Sequence, residues 1–285
     1  MTTTRTQGPT REERIEIAHK TFDAAVAALR DSSDWTSFLN QAAKLRRYSF
    51  CNLMLIQAQL PGATRCAGAV AWRETFGRYI NKGEKALWIY APLKVSYTPA
   101  EIALDPARAG QKKLIGFKVV PVFDVSQTNG KPLAEPPAAP KLLEGEAPEG
   151  IAQGLAGIAA QHGFGIGVDP VTPDANGETD FVEKMIRLRV GLSDAQTFKT
   201  MLHELAHVLL HAPTVDLPDF FCRGVGEVEA ESVAYIVCKH FGVDSGDYSL
   251  GYVVGWAARD HEAVARSGER ICRAAKQILA VLDPE

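Results

Sequence analysis

Two histidines four positions apart, His203 and His207, enclose a glutamate, Glu204, in the segment HELAH. On a helix of 3.6 residues per turn, side chains four apart leave from one face, so two imidazoles can bind one zinc ion at about 2.0–2.1 Å. Glu204 lies one step round, badly placed to bind the ion but able to reach its water. This is the arrangement of metal-assisted hydrolysis: zinc lowers the pKa of a water, and the glutamate takes the proton and returns it to the leaving group.

The helix that must carry these residues is legible. Ser193 can cap it, Asp194 puts a negative charge in its first turn, and Phe198, Met201, Leu202, Leu205, Val208 and Leu209 recur at helical spacing up to His211. A catalytic zinc needs a third protein ligand and an open position. The segment GEVEAESVAYIVC, on an expected helix from Gly226 to Phe241, offers Glu227, Glu229 and Glu231. Glu227 and Glu231 share a helical face, whereas Glu229 sits about 200° round from Glu227.

Between Gln41 and Lys85 stand eight Lys or Arg and only two acids, Glu74 and Glu84, with Tyr48, Phe50, Trp72, Phe76 and Tyr79 interleaved. Cations that follow a phosphate backbone, with aromatic faces for unpaired bases, suit sequence-tolerant binding of single-stranded nucleic acid. A solvated basic surface over an aromatic core is the alternative. Trp88 and Tyr90 alternate in a strand and read as core.

Charge divides along the chain. Residues 1–132 hold 19 Lys and Arg against 11 Asp and Glu, a balance of +8; residues 133–285 hold 12 against 23, or −11, giving the net −3 of the 285 residues. Between the halves, KPLAEPPAAPKLLEGEAPEG has five prolines and almost no periodicity, as an extended connector would. The expected class is α+β in two domains: an α+β domain over 1–132, a Pro-rich linker over 133–150 and a mostly helical domain over 151–285.

Helices are expected at Glu12–Leu29, from Asp34 as N-cap to Leu45, at Ser49–Gln59, near Ile151–His162 and from Tyr252 to Leu282. Strands are expected at Ala86–Leu93, at Gly116–Val125, where Pro121 suggests a sheet edge, and at Ile186–Val190. Five scattered cysteines, none in a CxxC spacing, indicate neither a disulfide framework nor a thiolate metal site. No run of about eighteen apolar residues and no apolar stretch behind the N-terminal charges occurs, so neither a membrane span nor a secretory signal is expected, and a cytoplasmic location is.

The HExxH helix and its acidic neighbour resemble the gluzincin pattern. That resemblance implies Glu227 as the third ligand and Glu231, four positions later, as the residue that orients a ligand histidine. Most gluzincins have Asp at the later position, and Glu229 stays in reserve as ligand. His211 stands four residues after His207, where metzincins place their third histidine six residues on, and a structural or rim role is expected for it.

More broadly, the sequence resembles the ArdC antirestriction family. The resemblance is carried by RRYSFCNLMLI (Arg46–Ile56), ATRCAGAVAWRETFGRYINKGEKALWIYAP (Ala63–Pro92), GFKVVPVFDVSQTNGKPL (Gly116–Leu133), HELAHVLLH and EVEAESVAYIVC. It implies an N-terminal domain that binds single-stranded DNA, a C-terminal metallopeptidase-like domain, and protection of entering plasmid DNA from host restriction. Arg46, Arg47, Asn52, Trp72, Arg78, Lys82, Gly83 and Lys85 fall in matching blocks and take DNA-contact roles, Gly83 as a turn that brings backbone N–H groups to a phosphate. Zn²⁺ is the expected ion, with Mn²⁺ or another divalent ion as the alternative, and the protein substrate is open, a restriction-system component being one candidate. The competing function is a restriction-blocking DNA binder whose metal site is structural. A metal-dependent nuclease fits less well, because two histidines with a glutamate base differ from the oxygen-rich Mg²⁺ sites common in nucleases.

Overall fold

The structure, a computed structural model, describes residues 9–29, 31–133, 149–172, 175–218, 221–243 and 261–284. The chain forms two compact units. One comprises the residues up to Ala25 with Leu55–Lys131, the other Val26–Met54 with the residues from Pro132 onward. Most of the Pro-rich stretch, 134–148, and the beginning of the expected last helix, 252–260, lie outside the described residues. Among those described, no helix is long and apolar enough to cross a membrane. The architecture is α+β.

In the first unit, helix α1 (Arg11–Ala27) precedes the second half of α3 (Phe50–Gln59), β1 (Cys66–Ala67), α4 (Ala69–Glu74), β2 (Arg78–Ile80), β3 (Leu87–Ser96), α5 (Pro99–Leu104), β4 (Lys112–Asp124) and β5 (Thr128–Gly130). Strands β1, β4 and β3 form an antiparallel sheet in that order, and β2 pairs with β5. Leu87 and Ile89 are buried. Trp88 and Tyr90 point the other way and are half-buried under α1, with the Arg14 guanidinium 4.9 Å from the Trp88 ring and the Tyr90 hydroxyl donating to the Ile15 carbonyl. Pro121 is not on an edge strand, since β4 is central. It is tolerated because β1 pairs only with Phe123 and Asp124, which leaves that side of β4 unpaired at Pro121.

One carboxylate organises the end of β4. Asp124 is buried, accepts the N–H groups of Thr64, Arg65 and Ser126 at 2.8, 2.9 and 3.0 Å, and caps a short 3-10 turn over Val125–Gln127. Burial works against its charge, but these donors outweigh it and hold the carboxyl below the usual aspartate range. From the same turn the Gln127 amide donates to the Lys85 carbonyl at 2.7 Å. The segment FDVSQ thus ties β1, β4 and the turn before β3 together.

The second unit contains α2 (Ser32–Lys44), the first half of α3, α6 (Glu149–Gln161), β6 (Gly165–Val168), β7 (Gly177–Asp180), β8 (Met185–Leu188), α7 (Asp194–His211), α8 (Arg223–His240) and α9 (His261–Leu282). The cap of helix α2 lies three residues before the expected one: Asp31, not Asp34, accepts from the Ser33 and Asp34 N–H groups at 2.8 and 3.0 Å. Trp35 is fully buried and donates its indole N–H to Ser232 Oγ on α8 at 3.1 Å; on the same pair of helices the Tyr235 hydroxyl donates to Asn40 Oδ1 at 3.0 Å. The expected strand near Ile186 is the centre of a three-stranded sheet, β6-β8-β7, with β6 parallel and β7 antiparallel to it. Helix α7 packs on this sheet with one side and on α8 with another.

Candidate metal centre

Helix α7 begins as the sequence indicates, Ser193 Oγ accepting the Gln196 N–H at 3.3 Å, and runs unbroken to His211. His203 and His207 leave it toward α8, and Glu227 comes to meet them from the first turns of that helix. The three could hold one metal ion. His203 Nε2 and His207 Nε2 are 3.1 Å apart, and Glu227 Oε2 lies 3.3 Å from the first and 3.7 Å from the second. Ligands at about 2.0–2.1 Å on a tetrahedral ion stand roughly 3.3–3.4 Å from one another, so these atoms already outline one face of such a polyhedron. The Glu227 side chain is 51% exposed, so the cluster borders solvent on that side.

The electrostatics match this geometry. Burial opposes a charge on His203, but Glu227, Glu231 and Glu204 outweigh it and push the imidazole up to about 9 in the metal-free protein. His203 Nε2 and His207 Nε2, 3.3 and 3.7 Å from its Oε2, hold the Glu227 carboxyl far below the usual carboxylate range. Two nitrogens and an oxygen have been drawn together around a point where positive charge is favourable.

Glu231 lies behind His203, on its Nδ1 side and away from the point where His203, His207 and Glu227 meet. Its Oε2 is 3.2 Å from His203 Nδ1, and its Oε1 takes an ion pair from Lys199 Nζ at 2.9 Å. A carboxylate at Nδ1 keeps the hydrogen there and leaves Nε2 free to bind. Burial would raise Glu231, but His203 and Lys199 outweigh it and keep it low.

Glu229, the other candidate for third ligand, does not reach the cluster of His203, His207 and Glu227. It is 0% exposed and meets His211 Nε2 at 2.9 Å, so it points away from the cluster. The Ser267 hydroxyl donates to it, and Arg270 Nε lies 3.1 and 3.2 Å from its two oxygens. Burial raises Glu229, yet His211, Ser267 and Arg270 together hold it below its ordinary value. Nor is His211 at the rim. It is buried, with Nδ1 3.0 Å from His207 Nδ1, and its pKa is lowered by burial and by the charges of His207 and Arg270 against the pull of Glu229.

Glu204 is buried beside the cluster and accepts the Thr179 hydroxyl at 2.8 Å; Thr179 also reaches the Glu204 carbonyl at 3.2 Å. Strand β7 comes this close because residue 177 is glycine: a Cβ there would stand 2.6 Å from Thr200 and 3.0 Å from Glu204 Cγ. Sequence reasoning missed Thr179 and Gly177, since the polar tetrapeptide GETD carries no strand signal. It also missed the His207–His211 pair, although three histidines spaced by four on one helix stripe were the available sign.

The expected DNA-contact residues divide between the two units. In the first, Trp72 is fully buried, donates its indole N–H to the Phe123 carbonyl at 2.8 Å and packs on Phe76; a buried ring has no face for a base, so Trp72 is core. Arg78 is a clasp between β2 and β5: Nε donates to Thr128 Oγ1 at 2.7 Å, Nη2 to the Thr128 carbonyl at 2.8 Å and Nη1 to the Lys131 carbonyl at 2.7 Å. Lys82, Gly83 and Lys85 are exposed. Gly83, at φ +92°, occupies the third position of a turn closed by Glu84 N–H to the Asn81 carbonyl, where only glycine is unstrained. In the second unit Arg46 pairs with Asp283 at 3.0 Å, Asn52 is half-buried and Arg47 is exposed.

No protein-family model matches the chain. An uncharacterized protein of Bacillus anthracis is 25% identical over 317 residues, taking in 99% of this chain and 53% of that protein, so the chain spans about half the length of the curated relative it matches. Among solved structures, the metal-free crystal structure of the antirestriction protein ArdC from plasmid R388 superposes with a TM-score of 0.60 at 17% identity, covering 94% of this chain and 98% of that one. The Mn(II)-bound structure of the same protein gives 0.57 at 16% identity over the same shares. The fold is ArdC-like over 94% of the chain.

Proposed function

We propose that the chain is an antirestriction protein that binds single-stranded DNA through its first unit and carries a metallopeptidase-type site in its second. The convergence of His203, His207 and Glu227 within an ArdC-like fold carries the reading. A divalent ion held by these three, Zn²⁺ or Mn²⁺, would supply Lewis-acid polarisation of a water or a carbonyl. The chain's own part is to hold the imidazoles through Glu231 and to keep Glu204, braced by Thr179, at hand as proton acceptor. For DNA, the residues in favour are Lys82 and Lys85 around the Gly83 turn, with Tyr79, 64% exposed on the adjoining strand, as the aromatic face in place of Trp72.

The deciding experiment introduces unmodified plasmid DNA into a restricting host expressing wild type, Glu204→Gln or His203→Ala. Protection by wild type that both variants lose is the expected result. Full protection by Glu204→Gln would leave DNA shielding without hydrolysis, and absence of protection by wild type would remove the antirestriction reading.

A further inference from the structure

We propose that His211 is a positioning residue that, with Glu229, sets the tautomer of His207, an inference that rests on reading His203, His207 and Glu227 as a metal site. The two ligand imidazoles are held by different means. His203 has a carboxylate, Glu231, directly behind Nδ1. His207 has none and instead meets a third imidazole, Nδ1 to Nδ1 at 3.0 Å.

The hydrogens can be assigned by elimination. An ionised carboxylate only accepts hydrogen bonds. Glu229 is fully buried, ion-paired to Arg270 and hydrogen-bonded by Ser267, so the 2.9 Å contact with His211 Nε2 requires a hydrogen on that nitrogen. A neutral imidazole has one such hydrogen, which leaves His211 Nδ1 bare. Across 3.0 Å it must then be met by a hydrogen on His207 Nδ1. His207 Nε2 is therefore the bare nitrogen, and it is the atom that faces His203 Nε2 at 3.1 Å and Glu227 Oε2 at 3.7 Å. The opposite neutral tautomer of His207 would set two lone pairs against each other.

The chain of partners is anchored in three helices. Arg270 and Ser267 on α9 fix Glu229 on α8, and Glu229 fixes His211 on α7. Arg270 also donates to the Leu210 carbonyl at 2.6 Å, one of the carbonyls that the end of α7 leaves without a helical partner. His211 is confined further by Phe221, 5.1 Å away, and by Gly226, where a Cβ would approach that phenylalanine to 3.1 Å.

The test uses the full-length chain and two readouts. Nitrogen-resolved NMR of the metal-free wild type reports which nitrogen of His207 carries the hydrogen: Nδ1 is expected, and Nε2 overturns the proposal without any variant. Zn²⁺ is then titrated into wild type, His211→Phe, which fills the space without hydrogen bonds, and His211→Gln, which keeps a donor and an acceptor. The expected order of affinity is wild type, then Gln, then Phe weaker than wild type by about 10–100-fold, all at one equivalent. Wild-type affinity in a folded His211→Phe overturns the proposal and leaves the metal site intact. Failure of the site itself reads differently, as a wild type that His203→Ala matches in zinc content.

Discussion

The helix pair α7 and α8 and the basic stretch around Trp72 and Arg78 were equally conspicuous in the sequence, and they met different fates. On the helices, spacing fixes geometry: residues four apart must share a face, so His203 and His207 could only converge, and Glu227 and Glu231 lie on one side of their own helix with Glu229 turned away. In the basic stretch, residue type fixes nothing about direction. Trp72 and Arg78 look like ligands for nucleic acid, yet Trp72 is buried with its indole on a carbonyl of β4, and Arg78, half-buried, is engaged by two acceptors of Thr128 and the Lys131 carbonyl. Periodic chemistry can be read from a sequence because the helix supplies the missing coordinates; a cluster of useful side chains on short strands and turns carries no such ruler.

The sharpest break of this contrast is loss of the metal. His203→Ala or His207→Ala should abolish stoichiometric binding, while Glu204→Gln keeps one equivalent, measured by metal analysis of purified full-length protein. Among the acids, Glu227→Ala should weaken Zn²⁺ most, Glu231→Ala by about 10–100-fold as the partner of a ligand histidine. Glu229→Ala should act on stability, since it strands Arg270 in the interior at a cost of about 3–5 kcal/mol. A Glu229 variant that is stable and binds as wild type would undo the division of labour among the three glutamates.

Next in size are the substitutions that separate core from surface in the first unit. Trp72→Ala should cost about 3–5 kcal/mol in denaturant unfolding, as deletion of a buried aromatic does. Arg78→Ala should cost about 1–3 kcal/mol through loss of its charged hydrogen bonds. If either loses DNA affinity with unfolding unchanged, that side chain belongs to the binding surface after all.

The α7 helix, its serine cap and the meeting of His203 with His207 were legible because each rests on local periodicity or capping chemistry, whereas the place of Glu231 beside His203 was implied by the gluzincin resemblance. What escaped was set by contacts distant in sequence. Asp124 gathers N–H groups from residues about sixty positions earlier, Thr179 reaches Glu204 from a short strand with no apolar residue, and Trp35 finds its acceptor at Ser232, which ties 26–54 to the same unit as α7 and α8. The position of His211 was visible, but its role depends on Arg270, nearly sixty residues away on another helix.

A smaller effect tests the electrostatics of the helix pair. His203 is raised from 6.5 to about 9, so its contacts with Glu227 and Glu231 stabilise the metal-free fold fully below pH 6.5, and that contribution disappears as pH rises through 9. Thermal unfolding of chelator-treated protein should fall by about 2–4 °C more between pH 6 and 9.5 than that of His203→Ala. Zinc affinity should move the other way over the same range, because binding must displace the proton. Parallel melting curves for the two proteins would mean that His203 is not held in its charged form.

The smallest effect lies at the Gly83 turn, and it decides whether any of the basic stretch serves DNA. Lys82 is exposed next to a glycine at φ +92°, on a turn whose shape comes from Asn81 and Glu84 and not from the lysine itself. Lys82→Ala should therefore leave unfolding unchanged, weaken single-stranded DNA binding equally for all sequences, and reduce the slope of log affinity against log salt by roughly 0.7, one phosphate contact on a single strand. Tyr79→Ala should instead lower affinity by about 1–3 kcal/mol with the slope intact, because stacking releases no counterions. A slope that survives both Lys82→Ala and Lys85→Ala would remove this turn from the interface and leave the +8 balance of the first 132 residues as nothing more than a solvated surface.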